Sequence, residues 1–116
     1  MQEYKVIFHI DEISKWKHLL ANVRNLLNGM EGEKLCVEVL ANSEAVKYYD
    51  STQDLNSNIN TMESLNKRKV KFAACNNALK AYHINTENLF NFIDVVPAGV
   101  VELVKKQSEG YAYIKL

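Results

Sequence analysis

The stretch VKFAACNNALKAYHI, Val70 to Ile84, decides the fold. Val70 to Ala74 is a short, mostly apolar run with the composition of a strand covered on both faces. Cys75 ends that run, and from Asn77 to Tyr82 the pattern takes on helical spacing. A strand that leads directly into a helix is half of a β-α-β unit, and the rest of the chain repeats the alternation.

Upstream, Tyr4 to Ile10 (YKVIFHI) is β-branched, aromatic and nearly continuous, which predicts a first buried strand. From Ser14 onward, Trp16, Leu19, Leu20, Val23, Leu26 and Leu27 form one helical stripe. Lys15, Lys17, His18, Asn22 and Asn25 occupy the rest of that surface, and Gly29 or Gly32 can end the helix. Leu35 to Leu40 (LCVEVL) gives a second strand. Asn42, Ser43 and Glu44 then supply caps for a short helix through Tyr48 and Tyr49. Asp50 to Asn60 is polar and reads as a flap, and Ile59, Met62 and Leu65 predict a helix that returns to Val70. Downstream, Phe92 to Val96 is a fourth strand, Val100 to Lys106 a helix, and YAYIKL a last strand with Tyr111, Tyr113 and Lys115 on one side. Strands joined by helices of this length imply parallel pairing. The expected fold is an α/β class, three-layer α/β/α sandwich with a mostly parallel sheet of about five strands.

The 116 residues, 47% of them hydrophobic, fit a single domain over 1–116. Fourteen basic residues balance fourteen acidic ones, so no long-range field favours nucleic acid or an anionic bilayer. Apolar runs are too short to cross a membrane and the N-terminus lacks a secretory pattern, which makes a cytoplasmic protein the expectation. Two cysteines, Cys36 and Cys75, make no disulfide framework, and both are expected to be reduced.

In an open α/β sheet, ligands sit beyond the carboxyl ends of the strands. Four stretches lie there: His9 to Glu12, Asn42 to Glu44, Cys75 to Asn77, and Pro97 to Gly99. Cys75 closes a strand just ahead of a helix, where backbone N–H groups and the helix dipole favour a thiolate. The same placement also suits a small buried hydrophobe. Cys36, inside an apolar run, reads as inert. His9 closes the first strand on the same edge, either as an acid or base or as a packed, hydrogen-bonded residue. Pro97 and Gly99 fit a strand-to-helix connection, and Gly99 lets another backbone or a ligand approach. Glu44, Asn76 and Asn77 read as caps first and ligand contacts second. His18 and His83 are expected at the surface, and no residue set has the spacing of a metal site. No cofactor is expected.

Several families fail on their central residues. No strand end carries a GxGxxG loop. A phospho-receiver domain needs an aspartate where Cys75 stands. No arginine follows Cys75, as the anion loop of a low-molecular-weight phosphatase requires, and the same absence counts against a rhodanese-like reading.

The sequence does resemble the DsrE/DsrF-like family of small α/β proteins. VIFHIDEISKWKHLLANVRNLLN (Val6 to Asn28), VKFAACNNAL (Val70 to Leu79) and VVPAGVVELVKKQSEGYAYIKL (Val95 to Leu116) carry the resemblance. It implies a homo-oligomer, a trimer or hexamer, in which a cysteine accepts a persulfide from a sulfur donor protein and passes it to an acceptor. Cys75 matches that cysteine. His9 and the turn Pro97 to Gly99 match positions on the same edge, with Asn76 and Asn77 beside the thiol. Two departures stand out: relatives often have a glycine where Ala41-Asn42-Ser43 stands, and many have one where Arg68-Lys69 stands. The resemblance thus implies a sulfur carrier or sulfurtransferase-like protein; the alternative is a non-catalytic ligand-binding or assembly module of the same fold.

Overall fold

A computed structural model describes residues 2–53 and 57–116. The strands are β1 (Glu3–Ile10), β2 (Lys34–Ala41), β3 (Lys71–Cys75), β4 (Ile93–Val96) and β5 (Ala112–Lys115). The helices are α1 (Trp16–Gly29), α2 (Ile59–Lys67), α3 (Asn76–Ala81) and α4 (Gly99–Ser108). All four strand pairings are parallel, in the order β4-β3-β2-β1-β5.

That order fixes where the helices lie. Crossovers between parallel strands are right-handed, so four strands laid down in one direction put α1, α2 and α3 on a single face. The return from β4 to β5 runs the other way across the sheet and puts α4 alone on the opposite face. Period-2 alternation sorts the side chains to match. Val6, Phe8, Ile10, Val37, Val39 and Phe72 join Trp16, Leu19, Val23, Met62 and Leu79 in the larger core. Ile7, Leu40, Ala73 and Val96 meet only Leu103 of α4 in the smaller one. The result is a three-layer α/β/α sandwich with unequal outer layers.

The segment after β2, expected as a helix, is a 3-10 helix, Ser43–Tyr49. It packs its aromatic end on α1: Trp16 lies between Tyr48 and Tyr49, with ring centroids 5.3 and 5.2 Å away, and donates its indole N–H to the Ala45 carbonyl at 3.0 Å. The third strand begins at Lys71 and includes Cys75, and α3 begins at Asn76. Cys75 is therefore the N-cap residue of α3, while Asn76 and Asn77, read as caps, lie in its first turn.

Both departures from the glycines of relatives fall at left-handed backbone. Ser43 has φ of 49° and Lys69 of 72°. At Lys69 the reason is a Schellman turn that ends α2: the Lys69 N–H donates to Asn66 O and the Val70 N–H to Leu65 O. His83 (φ of 57°) ends α3 in the same way, with bonds to Lys80 O and Leu79 O. The polar segment Asp50 to Asn60, read as a flap, includes residues 54–56, which lie outside the described residues. On one side of them the Asp50 carboxylate accepts bonds from Thr52 and Gln53; on the other, Asn58 donates to the Tyr48 hydroxyl at 2.7 Å.

Candidate functional site

The carboxyl ends of β1, β2 and β3 and the start of α4 converge on one spot. Cys75 is buried at 6% exposure, and its Sγ accepts the backbone N–H of Gly99 at 3.2 Å. Gly99 is the first residue of α4, so this N–H has no partner within the helix and is free to point at the sulfur. An N–H aimed at sulfur is a contact that a charged sulfur uses more strongly than a neutral one. From sequence the donor was expected in the helix that follows Cys75; in the structure it belongs to α4, the layer on the other side of the sheet.

Gly99 sits in a close approach of three elements. A Cβ there would lie 3.4 Å from the Cβ atoms of both Asn42 and Cys75. Asn42, placed directly after β2, turns its side chain toward β1: its Oδ1 lies 2.9 Å from His9 Nε2. His9 Nδ1 lies 2.7 Å from the Tyr113 hydroxyl. Because an amide oxygen only accepts, His9 Nε2 donates to Asn42, and the Tyr113 hydroxyl meets the other ring nitrogen. A chain Tyr113–His9–Asn42 thus runs along the strand ends to the contact between Gly99 and Cys75. It begins at the β1/β5 pair, where the order of the sheet reverses, the position at which open α/β sheets place ligands.

Neighbouring contacts fix this edge. Glu44 Oε2 accepts the Ile13 N–H at 2.9 Å, joining the loops after β1 and β2. Lys115 pairs with Asp11 at 2.9 Å, and that hydrogen bond holds the Asp11 carboxyl below its usual range. Among the other residues singled out from sequence, Asn76 is half-buried and Asn77 exposed, both beside Cys75 in α3. Pro97 is exposed and precedes the N-cap residue Ala98, outside the first turn of α4. His18 and His83 are exposed. Cys36 sits near the start of β2, at the opposite end of the sheet from Cys75, with Sγ 3.7 Å from Glu3 Oε2. Both cysteines are free. Among the described residues no three His, Cys, Asp or Glu side chains are grouped as a metal needs, and no helix is long and apolar enough to cross a membrane.

Sequence reading passed over two members of this constellation. Asn42 reads from sequence as a cap, and Tyr113 only as one side of the last strand. The role of Tyr113 follows from β5 lying beside β1, in the register His9 to Lys115 and Ile7 to Tyr113, and that of Asn42 from β2 lying on the other side of β1; nothing local in the chain signals either adjacency.

The fold has counterparts among known proteins. MTH1491 of Methanobacterium thermoautotrophicum, a protein of unknown function, superposes with a TM-score of 0.87 at 34% identity, over 98% of this chain and 100% of that one. YchN of Escherichia coli superposes with a TM-score of 0.74 over 99% of this chain and 100% of its own; at 19% identity it shares the fold. No curated protein matches the sequence. The model of the DsrE/DsrF-like family matches residues 5–116, a span that takes in β2 to β5, all but the first two residues of β1, and every residue of the site just described. The chain therefore belongs to the DsrE/DsrF-like family, one associated with sulfur relay.

Proposed function

We propose that the protein is a sulfur carrier in which Cys75 becomes a persulfide. The observation that supports this most is the Gly99 N–H held on Cys75 Sγ at the ligand-binding edge of the sheet. In the transfer, the Cys75 thiolate attacks the outer sulfur of a donor persulfide. The new S–S bond to Cys75 forms as the S–S bond of the donor breaks, and the donor leaves as a thiolate; no net oxidation occurs. An acceptor thiolate repeats the exchange in the forward direction. His9, held between Asn42 and Tyr113, positions this edge, and Asn76, Asn77 and Pro97 border it.

The test is mass spectrometry after exposure to a low-molecular-weight persulfide. One added sulfur atom on Cys75, absent in Cys75→Ser and absent from Cys36, is the expected result. A wild-type protein that gains no sulfur under conditions that load a reference thiol protein would end this reading. The 6% exposure of Cys75 favours a second reading, in which the thiol only packs and the edge binds a ligand or another subunit. On that reading Cys75→Ser keeps full biological function.

The assembly proposed with it is a homo-oligomer that works inside the cytoplasm. Val100, Val101 and Val104 are 66%, 46% and 68% exposed on the outer side of α4. They line an apolar surface with Lys105, and a second copy is the occupant that the family resemblance supports.

A further inference from the structure

The small layer of the sandwich holds a carboxylate that an apolar strand has no need of. Glu38 is the one charged residue of LCVEVL, central in β2, 2% exposed, and its Oε2 has no hydrogen-bond partner. Facing it from α4 is Glu102, one turn after Gly99, whose Oε2 is likewise buried without a hydrogen bond. Lys71 of β3 lies 3.8 Å from both carboxylates, and Lys106 of α4 lies 3.9 Å from Glu38. Those distances give ion pairing without a hydrogen bond. Lys106 also pairs with Glu109 at 3.8 Å and lies over the Tyr111 ring at 5.3 Å. Tyr49, beneath the sheet, is kept neutral by burial. Ile7, Leu40, Ala73 and Leu103 complete the apolar surroundings.

Two carboxyl groups in so apolar a place cannot both ionise without cost, and one proton between them removes the repulsion and supplies a hydrogen bond. Burial first, then the adjoining Glu102 carboxyl, push the Glu38 carboxyl up to about 8, against the opposing pull of Lys71 and Lys106. The pair is also the polar fastening of α4. Beyond it, Leu103 is the one α4 side chain in the small core.

We propose that Glu38 and Glu102 share a proton that latches α4 to the sheet, and that loss of this proton loosens α4 and withdraws the Gly99 amide from Cys75. Reach of a reagent to the thiol is then set by proton concentration. Only this last consequence rests on Cys75 being a working thiol. Val100 and Val104 point away from the sheet, so a partner that covers them leaves the latch in place.

The latched state binds the proton and the loosened state releases it. Opening becomes easier as pH rises from the ordinary carboxyl range toward about 8, by up to about tenfold per pH unit, and levels off above. Amide exchange in Glu102 to Lys106, corrected for its intrinsic pH dependence, reads this directly on the native assembly. The wild type is expected to lose protection across that window. Glu38→Gln, which keeps the shape and a donor, is expected to give a flat profile. Glu102→Gln removes the neighbouring carboxyl that raises Glu38 and is expected to shift the loss to lower pH without abolishing it; a shift to higher pH or none overturns the latch, which keeps the test sound if the first variant folds poorly. A Glu38→Gln profile that tracks the wild type, or wild-type protection independent of pH, overturns the latch. Alkylation of Cys75 in the same samples is expected to rise more steeply with pH in the wild type than in Glu38→Gln. Exchange involves no sulfur chemistry, so failure of the latch and failure of the persulfide reading are separately visible.

Discussion

A single contact joins the two faces of the sheet at Cys75: a thiol from β3 and an amide from α4, 3.2 Å apart. Gly99 makes that approach feasible, and substitutions there test it. In Gly99→Ala the added methyl sits 3.4 Å from two neighbouring Cβ atoms, a contact at the limit of comfort, and the gain in helix propensity offsets it. Gly99→Val has no room for its further methyl groups. It is expected to cost about 1–3 kcal/mol, read as a lower denaturant midpoint, and to speed alkylation of Cys75 as α4 is pushed outward. Unchanged alkylation would mean that α4 does not guard the thiol. Lys69→Gly addresses a different residue-level strain. Relieving the left-handed backbone at φ of 72° in the Schellman turn is expected to stabilise the protein by about 0.5–1 kcal/mol, measured by chemical denaturation.

At the scale of elements, α4 differs from every other helix. Among the described elements it lies alone on its face, buries Leu103, turns the half-buried Glu102 toward Lys71, and presents three valines outward. Its polar side makes the stability of the fold depend on pH. The Glu38 carboxyl is raised from 4.5 to about 8 in the folded protein, so the native state holds the proton more tightly than the unfolded chain. This group's stabilisation is complete below the ordinary value and is lost as pH rises to about 8, a loss on the order of a few kcal/mol. Urea unfolding of the wild type is expected to show that decline from mildly acidic to mildly alkaline pH. Glu38→Gln is expected to show a shallower one and to overtake the wild type in stability at the alkaline end. Parallel curves for the two proteins would place the pH dependence elsewhere.

For the whole molecule, the strand order β4-β3-β2-β1-β5 decides both the site and the proposed assembly, because the long return to β5 is what leaves α4 as the entire second layer. If copies associate through the outer side of α4, Val104→Glu is expected to yield smaller particles in analytical ultracentrifugation while the circular dichroism of the fold persists. An unchanged sedimentation coefficient would direct the search for an interface elsewhere. By itself the sequence determined the elements and their class. Buried strands such as YKVIFHI and the amphipathic stripe from Trp16 to Leu27 follow from local periodicity, and Cys75, His9 and Gly99 fall at strand and helix ends that the same periodicity marks. Local periodicity does not encode which strands are neighbours. The placement of β5 against β1, the chain from Tyr113 through His9 to Asn42, and the origin of the Cys75 contact in α4 all join residues far apart in the chain. Glu38 shows the same limit: in LCVEVL it reads as a polar interruption of a strand, and only the return of α4 across the sheet makes it half of a buried carboxyl pair. Those features were decided by the tertiary structure, because right-handed crossovers and the burial of two sheet faces act on the packed chain as a whole.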